Sequence, residues 1–201
     1  MQGSGGHTAE MLQLVRCMLS SGKLSGTRRV YVVAKTDGLS ANKATSLEEH
    51  VGGISRGGSD GGSNEAGGPI GSGGGWKGPV FRVERIDRAR EVGQSYLTSV
   101  VTTVRSFMTT ATLVLRYRPG MVVVNGPGTC LPIVVWARVL VPGCRVYYVE
   151  SIARVDHLSL TGKVLLRLGL VNGGFFVQWK ELADKLKEQG CGSVVYAGRV
   201  Y

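Results

Sequence analysis

A chain of 201 residues with 43% hydrophobic and 19% charged residues has enough apolar side chain to bury a single-domain core, which excludes a wholly disordered protein. Its net charge of +10 points to an anionic partner, yet the arginines of 82–90 are interleaved with Glu84, Asp87 and Glu91, the pattern of a mixed face rather than a nucleic-acid tract. No apolar run reaches the roughly 20 residues that cross a bilayer, and Cys17, Cys130, Cys144 and Cys191 form no C-x-x-C pair, so free thiols in a reducing compartment are expected, with neither zinc nor a redox motif.

Met11, Leu12, Leu14, Val15, Met18 and Leu19 recur at helical spacing and predict a first helix over 9–19, directly behind the glycine loop Gly3-Ser4-Gly5-Gly6-His7-Thr8. The run Val30-Tyr31-Val32-Val33 predicts a buried parallel strand over 29–34, followed by a short helix over 40–50. Residues 51–78 are dominated by glycine and serine and predict a disordered surface insertion, leaving about 170 residues to carry the fold. Beyond it the patterns predict a strand over 80–86, a long amphipathic helix over 95–117 stopped by Pro119-Gly120, and a strand over 121–124. A helix to about residue 141, a strand over 145–149, a helix over 161–168, a strand over 175–178, a helix over 180–188 and a strand over 193–197 complete the chain.

Strands and helices thus alternate, and the strands are continuous apolar runs, which predicts a doubly wound, mostly parallel Rossmann-like α/β sheet in one domain, 1–201. Only Met1 and Gln2 precede the glycine loop, so the expectation is either a sequence truncated ahead of the loop, with its first strand lost, or a sheet that begins a strand short.

Gly3, Gly5 and Gly6 permit close backbone approach, and the helix behind them directs free N–H groups toward the same space, an arrangement that suits a phosphate or diphosphate. A structural tight turn is the competing reading. His7 stands where loop becomes helix, able to donate, accept or move a proton; Thr8 is placed to cap the helix, and Glu10 to complement its dipole. Three further polar clusters fall at strand ends: Asp37 with Ser40, Asn42 and Lys43; Asn125-Gly126-Pro127-Gly128-Thr129; and Glu150-Ser151 with Arg154. In an open parallel sheet these ends converge on one crevice with the first loop, although each cluster by itself also suits a turn or a cap. The spacing yields no catalytic triad, paired-carboxylate site or metal-ligand array.

Taken in order, Gly3 to Glu10, Thr36-Asp37 with Ser40 to Lys43, Arg88 to Ser95, Asn125 to Cys130, Tyr148 to Val155, Leu158 to Lys163, Gln178-Trp179 and Gly198-Arg199-Val200 resemble the Alg14 family. That family is similar to the N-terminal, acceptor-binding half of GT-B glycosyltransferases such as MurG. The resemblance implies a subunit of a UDP-N-acetylglucosamine transferase that adds the second sugar to N-acetylglucosaminyl-diphosphodolichol on the cytosolic face of the endoplasmic reticulum. It implies that this chain binds the lipid acceptor and recruits a donor-binding, Alg13-like catalytic partner, which carries UDP-N-acetylglucosamine, to the endoplasmic reticulum membrane surface; no cofactor, metal or nucleic acid is expected on this chain. By matching position it implies that Gly3, Ser4, Gly5, Gly6, His7 and Thr8 meet the acceptor diphosphate, and that Asp37, Asn125, Gly126, Gly128, Thr129, Ser151 and Arg154 line the cleft. It gives His7 and Glu150 as catalytic candidates and Gly198, Arg199, Val200 and Tyr201 as a partner surface. Family members usually carry an N-terminal membrane anchor and a first strand ahead of the glycine loop, which this sequence does not contain. A Rossmann-type oxidoreductase is the alternative; it requires an acidic residue about 20 positions past the loop, whereas Asp37 lies about 30 on, and a third glycine where Thr8 stands.

Overall fold

The computed structural model describes residues 5–24, 26–35, 37–51, 81–86, 96–126 and 128–199. The glycine-rich stretch read as an insertion lies outside the described residues apart from Val51, as do residues 87–95, which carry part of the family resemblance.

The elements run α1 (Gly5–Ser20), β1 (Arg29–Ala34), α2 (Gly38–Val51), β2 (Phe81–Ile86), α3 (Tyr96–Tyr117), β3 (Met121–Asn125), α4 (Cys130–Leu140), β4 (Arg145–Val149), α5 (Leu160–Arg167), β5 (Gly174–Val177), α6 (Lys180–Glu188) and β6 (Val194–Tyr196). Every strand pairing is parallel and helices flank the sheets, the α/β arrangement expected from the alternating pattern. The largest local departure is at the start: Gly5 to Thr8 form the first turn of α1 rather than a loop ahead of it.

Among the described residues the strands form two sheets, β1-β2 and β3-β4-β5-β6, where one continuous sheet was expected. In the doubly wound order 3-2-1-4-5-6, the strand before the first helix lies between these two groups. The groups are joined instead by helices: α1 packs on α2 and on β3, and α3 packs on β2 and α4. All six residues of β1 are only half-buried, although their sequence is that of an interior strand, because one edge of β1 has no paired neighbour among the described strands. β3 and β4 are more deeply enclosed.

The core belongs to the four-stranded unit. Val122, Val124, Val146, Tyr148, Phe175, Val177 and Val194 from the strands meet Val134, Ala137, Leu165, Leu182, Ala183 and Leu186 from α4, α5 and α6. The long amphipathic helix α3 is fastened to this layer at Trp136, whose indole donates to the Phe107 carbonyl at 2.8 Å with the two rings edge-on at 6.4 Å. Among its residues whose side chains are described, Val114 and Thr110 are buried, while Met108 and Leu115 face outward. No described helix is long and apolar enough to cross a membrane.

In the two-stranded unit, an ionic cluster accompanies the buried Ala41, Ala44 and Ile86. Arg29, at the first position of β1, grips Glu48 of α2 through Nε at 2.6 Å and a second guanidinium nitrogen at 2.7 Å, and the Tyr31 hydroxyl donates to the same carboxylate at 2.5 Å. The Glu48 side chain is fully buried, so its charge is tolerable only with these donors in place. Glu48→Ala is expected to lower stability by about 3–5 kcal/mol, since it leaves the guanidinium poorly paired under α2. Urea unfolding followed by circular dichroism measures it, and Glu49→Ala one residue on is the comparison.

Candidate functional site

The first turn of α1 is the meeting point. Asn125, the last residue of β3, donates from Nδ2 to the His7 carbonyl at 2.6 Å, tying the turn to the sheet. The next residue, Gly126, has φ +62° and lies directly beneath the His7 ring: a Cβ added there would stand 2.3 Å from Cε1 and 2.5 Å from Nδ1. Both features demand glycine, the positive φ because a side chain is strained there and the ring because it occupies the space. His7 Nδ1 is buried without a hydrogen-bond partner among the described residues.

From the β1 side, Asp37 caps α2. Its Oδ1 accepts from the Ser40 amide at 3.1 Å and its Oδ2 from the Ser40 hydroxyl at 2.6 Å. Because the single Ser40 hydroxyl proton is committed to Asp37, Thr8 is the donor in the 2.6 Å contact between Thr8 Oγ1 and Ser40 Oγ. From the β4 side, Ser151 donates from Oγ to Glu10 Oε1 at 2.8 Å. The other Glu10 oxygen is buried without a partner among the described residues, and Glu10 lines a narrow crevice together with Met11, Leu14, Asn125 and Val149. Because α1 begins at Gly5, Thr8 lies inside the helix rather than capping it, and Glu10, expected in the first turn to complement the dipole, stands past that turn; it turns inward to bind Ser151 instead.

The expected residues are therefore distributed as follows. Thr8, Asp37, His7, Asn125, Gly126 and Ser151 are brought together at α1, directly or through Ser40 and Glu10. Gly5 and Gly6 lie in the same turn. Gly128 and Thr129 lead into α4, Thr129 standing at its N-cap without a side-chain capping bond. Arg154 turns away from α1 to donate to His157 Nε2 at 3.1 Å. Gly3, Ser4, Pro127, Val200 and Tyr201 lie outside the described residues.

Glu150 sits beneath the crevice instead of at its surface. It is fully buried, its Oε1 accepting from the Tyr148 hydroxyl at 3.2 Å and the Ser151 amide at 3.1 Å, and its Oε2 from the Ser159 amide at 2.9 Å. Ser159 in turn caps α5, its Oγ accepting from the Gly162 amide at 3.0 Å. The carboxylate thus draws both ends of the β4–α5 connection onto one point. Tyr148, Ser159 and Gly162 lie within the motifs of the resemblance but were not read as site residues, because their roles depend on where the Glu150 side chain folds.

Burial pushes the Cys130 thiol up to about 12, and raises the Tyr148 phenol above its ordinary range, with the Glu150 charge adding to it. Both groups stay neutral in the fold and ionise earlier in the unfolded chain. Their contribution is therefore complete below about pH 9 and is lost as pH rises toward the folded values, because the unfolded state then binds fewer protons. Urea midpoints should be level from neutral pH to about 9 and fall above it. In the same samples Cys17, which is exposed, should react with a maleimide at neutral pH while Cys130 does not.

With this geometry in hand, comparison with known proteins is decisive. The family described as "Oligosaccharide biosynthesis protein Alg14 like" matches residues 1–195. The chain belongs to the Alg14 family. It is 42% identical over 204 aligned positions, 98% of this chain and 80% of the relative, to the mouse protein named UDP-N-acetylglucosamine transferase subunit ALG14. Identity is 38% to the human protein of that name, over 98% of this chain and 80% of the relative, and 35% to the one from Candida albicans, over 90% and 69%. No solved structure matches the chain. For this Alg14-family chain, the match takes in α1 and all three strand-end clusters that meet it.

Proposed function

We propose that this chain is the acceptor-binding subunit of a UDP-N-acetylglucosamine transferase, transferring the second sugar onto N-acetylglucosaminyl-diphosphodolichol together with a separate donor-binding, Alg13-like subunit. The observation that carries the reading is the meeting of three strand ends at the start of α1: Asn125 and Gly126 after β3 at His7, Ser151 after β4 at Glu10, and Asp37 after β1 through Ser40 at Thr8. Relatives 32–42% identical are named UDP-N-acetylglucosamine transferase subunit ALG14, which supports a subunit role in such a transfer.

In this reading the N–H groups and positive end of α1 receive the acceptor diphosphate, with His7 donating to it or moving a proton at the acceptor hydroxyl. Asp37 and Ser40 hold Thr8 in place, and Glu150 shapes the loop that carries Ser151. The tail Gly198–Tyr201 meets the donor-binding subunit, and the pair works at the cytosolic face of the endoplasmic reticulum. The test is reconstitution. The chain alone should transfer no sugar from UDP-N-acetylglucosamine to a short-chain polyprenyl-diphosphate acceptor, and should do so when the donor-binding subunit is added. Robust transfer by the isolated chain, or none by the pair, would overturn the reading. His7→Ala in the active pair is expected to reduce kcat/KM for the acceptor about 100-fold, the range of one positioned proton-transfer or donor group.

A further inference from the structure

Gln178 and Trp179 follow β5 and have no part in the reading above, yet they hold the loop that carries Ser151. The Trp179 indole donates from Nε1 to the Ile152 carbonyl at 2.7 Å. Gln178, almost fully buried, donates from Nε2 to the Glu150 carbonyl at 3.0 Å. Residues 150–155 form no regular structure, so donors from neighbouring elements set their path.

The other side of Trp179 faces the end of the chain. The Arg199 guanidinium carbon lies 4.6 Å from the indole centroid, a cation–π contact, and the Ala197 amide donates to the Val177 carbonyl at 3.1 Å, which lays the tail beside β5. An unbroken series of direct contacts therefore runs from Arg199 through Trp179 to Ile152 and Ser151, and on to Glu10, one turn beyond His7 in α1. A tryptophan that only filled space at the sheet end would need neither its N–H aimed at a loop carbonyl nor a cation over its face.

We propose that Trp179 is a positioning residue that couples the seating of the C-terminal tail to the β4–α5 loop, and through Ser151 and Glu10 to the acceptor crevice. The proposal rests on the reading of the tail as the partner surface and of α1 as the acceptor site. A partner that presses Arg199 against the indole would stiffen residues 150–155 and reduce the ordering cost of acceptor binding.

Two variants of the full chain test it. Trp179→Phe keeps an aromatic ring under Arg199 but removes the N–H donor; Arg199→Ala removes the cation from an exposed position and leaves the core untouched. Amide hydrogen exchange on the isolated chain should quicken at least about fivefold across 151–159 in both, with β3 and β4 unchanged. In the reconstituted pair, Trp179→Phe should raise acceptor KM about three- to tenfold while KM for UDP-N-acetylglucosamine stays within about twofold. Unchanged exchange at 151–159 in Arg199→Ala, or equal quickening throughout the sheet, overturns the coupling, and this variant decides alone if Trp179→Phe does not fold. Failure of the wild-type pair to transfer sugar would sink the proposed function, while the exchange result would still judge the coupling.

Discussion

Gly126→Ala is expected to lose at least about tenfold in acceptor kcat/KM and about 1–3 kcal/mol of stability. Two separate causes act at this position. The backbone holds φ +62°, where any side chain is strained, and the new methyl would stand 2.3 Å from His7 Cε1. Asn125 holds the His7 carbonyl at 2.6 Å, so the backbone of the turn cannot retreat with the ring. The ring must therefore swing out of its pocket, and a displaced imidazole is a misplaced donor or base. A double-mutant cycle with His7→Ala separates the causes: once the ring is gone, Gly126→Ala should retain only its backbone strain, and its stability cost should fall by half or more. An equal cost in both backgrounds would show that the ring contact contributes nothing.

Glu150→Ala should be the more damaging change to the fold, at about 3–4 kcal/mol, because it strands two buried amides and a phenol that now share one carboxylate. Glu150→Gln should cost less, about 1–3 kcal/mol, since one oxygen survives while the new NH2 meets a donor whichever way it turns. Gly162→Ala perturbs the same point from the α5 side, its Cβ falling 2.6 Å from Glu150 Oε2. Urea midpoints for the three variants, beside transfer rates in the reconstituted pair, assign the role of the carboxylate. Loss of activity in step with loss of stability marks a residue that shapes the loop. A Glu150→Gln protein as stable as the wild type yet about 1,000-fold slower would instead mark a group that takes part in the chemistry.

How far the sequence alone reached can be seen residue by residue. Val30 to Val33 announced a buried parallel strand and Met121 to Val124 a strand; the structure has both as parallel strands, with β1 only half-buried, because a run of β-branched residues between turn signals leaves few other options. The placement of polar clusters after strands was legible for the same reason, since a parallel sheet carries its loops at fixed ends. The glycine loop was read less well. Gly5 to Thr8 belong to the helix, for its first turn is fastened from outside by Asn125 and Ser40, contacts spanning 118 and 32 residues. Glu150 illustrates the limit more sharply: an acidic residue at a strand end looks like a crevice group, and only the fold reveals that its three donors lie underneath.

What this sequence determined by itself was its order of elements, their parallel α/β class and its family, because periodicity and contiguous motifs are local properties of the chain. What the tertiary structure decided was direction. Whether Glu10 turns to solvent or to Ser151, whether Arg154 reaches α1 or His157, and whether Trp179 points into the core or holds a loop at Ile152 all depend on partners distant along the chain. Residue type sets which bonds a side chain is able to make; only the packed arrangement of helices and sheets sets which partner is within 3 Å when water is excluded.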